Sequence, residues 1–193
     1  LELDPDLMKT SQALIEITLK LKKDAEASSL LDEHITRWPE DPWARLNSGK
    51  LAQERGEHDI AIGHFETLNR LRPRLMTGYL HLGAAYQRAN RTEDAYTTYT
   101  ACTESHGLDP GCWLKRLSTS QALVEEGVNA QETLNLDVTL MAETLSHSPE
   151  QAQIIADKLL RADKYVILKS GRITLSLSEE DKGFLLSNSI KDI

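Results

Sequence analysis

PWARLNSGKLAQERGEHDIAIGHFETLNRLRPRL, residues 42–75, is the stretch that decides the fold. Trp43, Leu46, Gly49 and Ala52 recur at three-residue steps, the spacing of one helix face. Gly56 ends that helix, and Glu57-His58-Asp59 opens a second one with Ala61, Phe65 and Leu68 inward. Pro73 closes the segment. Two helices this short cannot bury a core alone, so they are read as one unit of a repeat.

Working outward, Pro5, Pro39 and Pro73 stand 34 residues apart. Residues 76–109 repeat the scheme, with Tyr79, Leu82, Gly83 and Tyr86 in a first helix, Asn90 at the turn, and Ala95, Tyr99 and Cys102 in a second. Gly49 and Gly83 fall where the helices of a unit approach closely, and Ala27, Ala61 and Ala95 share one phase as the small contacts opposite. Ala61→Phe or Ala95→Phe is expected to overpack that interface by about 1–3 kcal/mol.

These residues resemble the tetratricopeptide repeat (TPR) family. Unit 76–109 carries its aromatic Tyr79, Leu82-Gly83, Tyr86, turn Asn90, Ala95 and Tyr99. Unit 42–75 carries Gly49, Gly56, Ala61, Phe65 and Pro73, with Trp43 displaced and Leu68 in place of the second Ala. The resemblance covers roughly residues 1–127 and implies an all-α superhelix, a TPR solenoid, that serves as a binding scaffold.

The first whole unit is read as 8–41, with Leu14, Ile17 and Leu21 as a helical stripe, Lys22-Lys23-Asp24 as the turn, and Ile15 where later units have Gly. Leu1-Glu2-Leu3-Asp4-Pro5 looks like the last turn of a preceding repeat, so further sequence upstream is expected. Pro110 follows Pro73 by 37 residues, and the three extra residues are expected in a surface loop, with Gly107 as a left-handed helix end. A diverged fourth unit spans 110–147: Ser120 stands where Gly49 and Gly83 do, and Gly127 takes the turn. Trp113, Leu114, Leu117 and Leu123 are apolar, Asn129 caps the second helix, Leu134, Val138, Met141 and Leu145 form its stripe, and Glu132 replaces the small Ala. Ser148-Pro149-Glu150-Gln151 starts a helix over 148–164 that covers the open end. The tail, 165–193, reads as a small C-terminal β-hairpin, Tyr165–Leu168 and Ile173–Leu177 joined by Lys169-Ser170-Gly171-Arg172, and a short helix after Ser178.

Net charge is −8, from 30 acidic against 22 basic side chains, which argues against a nucleic-acid partner. No apolar run approaches the roughly 18 residues of a membrane span. Cys102 is read as a buried free thiol, a disulfide to Cys112 being geometrically open across the connecting loop. The histidines His34, His58, His64, His81, His106 and His147 show no recognised metal spacing and are read as solvated or capping, His81 being near the expected groove. There is no phosphate-binding glycine loop and no nucleophile elbow, and no cofactor is expected.

By resemblance to TPR arrays, the first helices line a concave groove. The first unit would present Lys9, Gln12, Glu16, Leu19 and Lys20. The peptide-binding set is Trp43, Leu46, Lys50 and Gln53 from the second unit, Leu80, His81, Ala84, Gln87 and Arg88 from the third, and Leu114, Leu117 and Gln121 from the fourth. Leu46, Leu80 and Leu117 form an apolar ladder, and Gln53 with Gln87 an amide ladder that suits an extended peptide or short helix. The TPR subgroup that clamps acidic chaperone tails has Lys and Asn at positions held here by Leu46, Lys50 and His81, so that function is not expected. The reading is a non-enzymatic scaffold for a protein or peptide partner. The alternatives are the regulatory or substrate-docking region of a larger enzyme, and a homo-oligomer formed through the repeat ends.

Overall fold

The structure, a computed structural model, describes residues 5–107, 109–127, 131–145, 165–167 and 173–175. Its described helices are α1 (Pro5–Lys20), α2 (Asp24–Arg37), α3 (Pro42–Glu54), α4 (His58–Leu71), α5 (Met76–Arg88), α6 (Thr92–Ser105), α7 (Pro110–Glu125) and α8 (Gln131–Leu145). Strands β1 (Tyr165–Ile167) and β2 (Ile173–Leu175) pair antiparallel, Tyr165 opposite Leu175. The connecting turn of the expected hairpin, the helix over 148–164, the short helix after Ser178 and the cap at Asn129 lie outside the described residues.

The chain divides into two compact units, Leu1–Arg91 with α1–α5 and Thr92–Ile193 with α6–α8. In the first, α1 packs on α2, α2 on α3, α3 on α4 and α4 on α5, while α3 also touches α5. Each connection between units of the repeat is four residues long, and a tight turn follows each of α1, α3, α5 and α7. Lys22, Gly56, Asn90 and Gly127 hold the left-handed backbone there, with φ of 55°, 76°, 56° and 80°. The state ends a helix abruptly, and glycine enters it without a Cβ penalty. Gly107, expected to be another, has no such φ: α6 stops at Ser105, and a turn from the Asp109 N–H to the His106 carbonyl carries the chain onward.

Helix starts have a different signature. The Asp41 carboxylate accepts the Trp43 N–H at 3.0 Å with Pro42 at the first helical position, and Asp109 accepts the Gly111 N–H at 2.7 Å beside Pro110. Such caps are worth about 1 kcal/mol, and a first-turn proline removes an N–H that had no partner anyway. Pro5 is the first described residue of α1, whereas Pro39 and Pro73 sit in turns. Pro110 therefore corresponds to Pro42. The helices α3, α5 and α7 start at 42, 76 and 110, in step, so the three extra residues are not in a surface loop. They lengthen α7 to 16 residues against 13 in α3 and α5.

Packing explains the small residues. A Cβ on Gly49 would lie 2.5 Å from the Phe65 ring, so the glycine admits the aromatic. Gly78 does the same toward the Asn69 side chain, a contact the sequence did not suggest. Ala27, Ala61 and Ala95 are fully buried. The expected stripe on α1 is displaced: Leu14, Ile17 and Leu21 are exposed, while Ile15 joins Ala27, Leu31, Ala44 and Leu51 in a core cluster. Helix α1 is apolar on more than one side, and periodicity cannot say which side meets α2.

In the second unit α6 packs on α7 and α7 on α8. Cys102 and Cys112 are joined in a disulfide, correcting the expected free thiol. The four-residue connection brings the last turn of α6 and the first of α7 to a Cα separation of 5.6 Å. Leu134, Val138 and Met141 face inward on α8, as expected. Beside them, fully buried Asp137 receives the Arg116 guanidinium, the Ser120 hydroxyl and, at 3.1 Å, the Tyr96 hydroxyl. Arg116 also donates to Thr103 Oγ1 at 3.1 Å.

Candidate functional site

The first unit places α3 and α5 side by side with α4 packed on both. Phe65 of α4 lies against Gly49, and the His81 ring of α5 stacks on Phe65 at 5.2 Å and 17°. The glycine thus sets the depth of the aromatic, and the aromatic backs the histidine. His81 is half-buried, and Lys50 of α3 and Arg88 of α5 are exposed beside it. Burial pushes the His81 imidazole below its ordinary range, and the Lys50 and Arg88 charges push it further the same way. Leu46, Leu80, Ala84, Gln53 and Gln87 are half-buried. Gln53 Nε2 is buried and has no hydrogen-bond partner among the described residues. This face combines apolar side chains and two cations.

Trp43 packs onto the Ile15–Leu51 core cluster, its ring 6.1 Å from His34, and so is partly committed to the interior. The expected residues on α7 fare differently. Leu114 and Leu117 are 7% and 4% exposed, so neither is free to receive a ligand side chain, and the apolar ladder reduces to Leu46 and Leu80. Counted from its own helix start, Leu114 is the counterpart of Leu46 and Leu80, because the three-residue extension shifts everything after it. Gln121 is half-buried and donates to Glu125 at 3.2 Å along the same helix. Sequence reasoning missed Phe65 as the support of His81. The signal was present, since Gly49 and an aromatic on the next helix are paired positions of the repeat.

A second constellation is buried between α1, α2 and the start of α3. Ser11 Oγ is 2.8 Å from His34 Nδ1, and His34 Nε2 is 2.8 Å from Asp41 Oδ2, which also accepts Gln12 Nε2 at 2.8 Å. His34 is therefore a core residue, not a solvated or capping one. The residue types are those of a nucleophile relay. Ser11, however, lies mid-helix, where neighbouring N–H groups bond within α1 and leave no donors for an oxyanion. Asp41 is engaged in capping α3. The arrangement ties three helices together.

No protein-family model and no curated protein matches this sequence. Solved structures do resemble it. The first TPR of Spaghetti (RPAP3), bound to the HSP90 peptide SRMEEVD, is 18% identical with a TM-score of 0.57, over 64% of this chain and 98% of that one. A crystal structure of MamA is 15% identical with a TM-score of 0.58, over 81% of this chain and 82% of that one. MamA of Desulfovibrio magneticus RS-1 is 14% identical with a TM-score of 0.51, over 79% of this chain and 90% of that one. At these identities the likeness is one of fold: the chain is a TPR-like helical repeat array. Among the described residues no helix is long and apolar enough to cross a membrane.

Proposed function

We propose that this chain is a non-enzymatic protein-interaction scaffold whose α3–α5 face binds an extended peptide or short helix carrying acidic and apolar side chains. The observation that carries the reading is the pair of exposed cations, Lys50 and Arg88, flanking half-buried His81 on the face that bears Leu46 and Leu80. The whole chain has a net charge of −8, so a local basic site is the place where an acidic segment meets attraction and not repulsion. The leucines supply apolar contact. The Spaghetti TPR, whose bound peptide is acidic, supports this class of partner by fold. The absence of the Lys and Asn clamp pattern means the acidic group would be held by different residues here.

The test is selection from a displayed random-peptide library, comparing wild type with Lys50→Glu/Arg88→Glu and with Leu46→Glu/Leu80→Glu, each checked for helicity by circular dichroism. Wild type should enrich acidic, leucine- or isoleucine-containing peptides, and both folded variants should lose them. Enrichment of basic peptides, or equal capture by wild type and variants, would reject this face as the site. In the same reading residues 1–147 form the solenoid, 148–164 cover its open end, and 165–193 are a hairpin and short helix appended to it.

A further inference from the structure

We propose that Cys102, His106 and Cys112 form a thiol-gated site for a thiophilic divalent cation of the zinc class. The spacing, Cys-x3-His-x5-Cys, is no standard metal motif, and it is the fold that assembles it. Cys102 and His106 are one helical turn apart at the end of α6, joined by the His106 N–H donating to the Cys102 carbonyl at 2.8 Å. Cys112 comes from the first turn of α7. One ligand atom from each of the three lies within 4.8 Å of the others. In a tetrahedral zinc site, bonds of about 2.0–2.3 Å set ligand atoms roughly 3.3–3.8 Å apart. Side-chain rotation of about an ångström closes the difference for His106 and opens it for the two sulfurs.

The connection between the helices is held in place independently of the sulfurs. The Trp113 indole N–H donates to the Gly107 carbonyl at 2.7 Å, and the Asp109 N–H donates to the His106 carbonyl at 2.9 Å. These two bonds do not involve sulfur and remain available to hold the ends of α6 and α7 together once the disulfide is broken. Cys112 lies in the first helical turn of α7, where the helix dipole favours a thiolate. On its His106 side the cluster borders an open surface pocket of about 440 Å³ lined by Ser105, His106, Gly107 and Asp109.

The chemistry balances as follows. A dithiol reductant gives two electrons and two protons to the Cys102–Cys112 bond, producing two thiols and the oxidised, cyclic form of the reductant. The cation then displaces one proton from each thiol and binds neutral His106, releasing two protons in all. Exchange with a small-molecule disulfide, which takes up the two electrons and leaves as two thiols, re-forms the Cys102–Cys112 bond and releases the cation. The α6–α7 junction is thus clamped in both redox states, by a covalent bond in one and by a metal in the other. This site shares no residue with the α3–α5 face, so the two proposals stand or fall separately.

The experiment is cobalt titration of the full chain, followed by visible absorption. One sample is reduced with a phosphine under anaerobic conditions, and the other is left oxidised. Reduced protein should bind one equivalent with a thiolate-to-cobalt charge-transfer band and the d–d bands of a tetrahedral ion, displaced by zinc, and oxidised protein should show neither. His106→Asn keeps both thiols and should weaken binding by more than about tenfold, since even outer-shell partners cost 10–100-fold. Cys102→Ser/Cys112→Ser, with helicity checked by circular dichroism, should abolish the bands. A reduced wild type without a thiolate–cobalt band would overturn the site, as would a His106→Asn variant that binds cobalt as tightly as wild type.

Discussion

The pairs α3–α4 and α7–α8 hold two helices together by opposite means. In the first, Gly49 is an empty place into which the Phe65 ring fits, an apolar contact. In the second, Ser120 on α7 meets the buried carboxylate of Asp137 on α8, and Arg116 neutralises the charge. Close packing needs only the right volumes and is tolerant at its edges. A buried charge network is all-or-nothing, because each member left alone carries a desolvation penalty. The diverged pair has kept the helix-pair architecture while exchanging shape for charge.

The sharpest way to break the contrast is Asp137→Ala. It leaves Arg116 buried without its carboxylate and should cost about 3–5 kcal/mol in urea unfolding followed by circular dichroism. Arg116→Met/Asp137→Leu should recover most of that loss, because an apolar pair of similar volume suffers no such penalty. If the double variant is as unstable as the single one, packing and not charge governs α7–α8. On the other side of the comparison, Gly49→Ala drives a methyl into the Phe65 ring and should cost about 1–3 kcal/mol by the same assay. An unchanged midpoint would mean that Phe65 can withdraw and that the fit is loose.

Smaller effects come from the turns. Lys22 adopts the left-handed backbone that Gly56 and Gly127 adopt in other repeats, at a penalty of roughly 1–2 kcal/mol for a residue with a Cβ. Lys22→Gly should therefore stabilise the chain by up to about 1 kcal/mol after the added freedom of the unfolded state is counted, read as a higher urea midpoint. The smallest expected change is with pH. His81 and His64 both have folded pKa values below their ordinary 6.5, chiefly from burial, so the unfolded chain binds more protons near and below that value. Stability is then fully present above about pH 6.5 and declines as pH falls toward the folded values. His81→Asn should flatten part of that decline, and a stability curve that rises on acidification would contradict the assignment. An acidic ligand beside His81 should favour its protonated form, so peptide affinity should strengthen from pH 8 to pH 6 in calorimetry.

What could be read from the sequence followed from local, steric requirements. Gly49, Gly56, Ala27, Ala61 and Ala95 are each dictated by a lack of room or by backbone handedness, and they recur at the repeat period. The prolines misled in one respect. Helix-opening Pro42 and Pro110 and turn prolines Pro39 and Pro73 are one letter with two roles, and only the preceding Asp distinguishes the former. Confusing the two moved the extra turn of α7 into a loop and set Leu117, not Leu114, level with Leu46 and Leu80. The His34–Asp41 line and the Arg116–Asp137 pair were illegible because their members lie 7 and 21 residues apart, with no periodic signal. Lys50, His81 and Arg88 were all in the expected groove set, but that the two cations flank the histidine follows only from α3 lying beside α5.

The left-handed residues at 22, 56 and 90 have a consequence for how such a gene can grow or shrink. A duplication or deletion that exchanges one of these turns for another joins the same backbone state to itself, so the flanking helices resume in phase. An exchange with Gly127 instead shifts the frame by three residues, nearly one helical turn, and rotates the apolar stripe by only about 60°. Unequal crossing-over among the first three turns is therefore structurally silent at the junction. The fourth is tolerant but marked, and the long α7 helix has the form that such a three-residue slippage would leave behind.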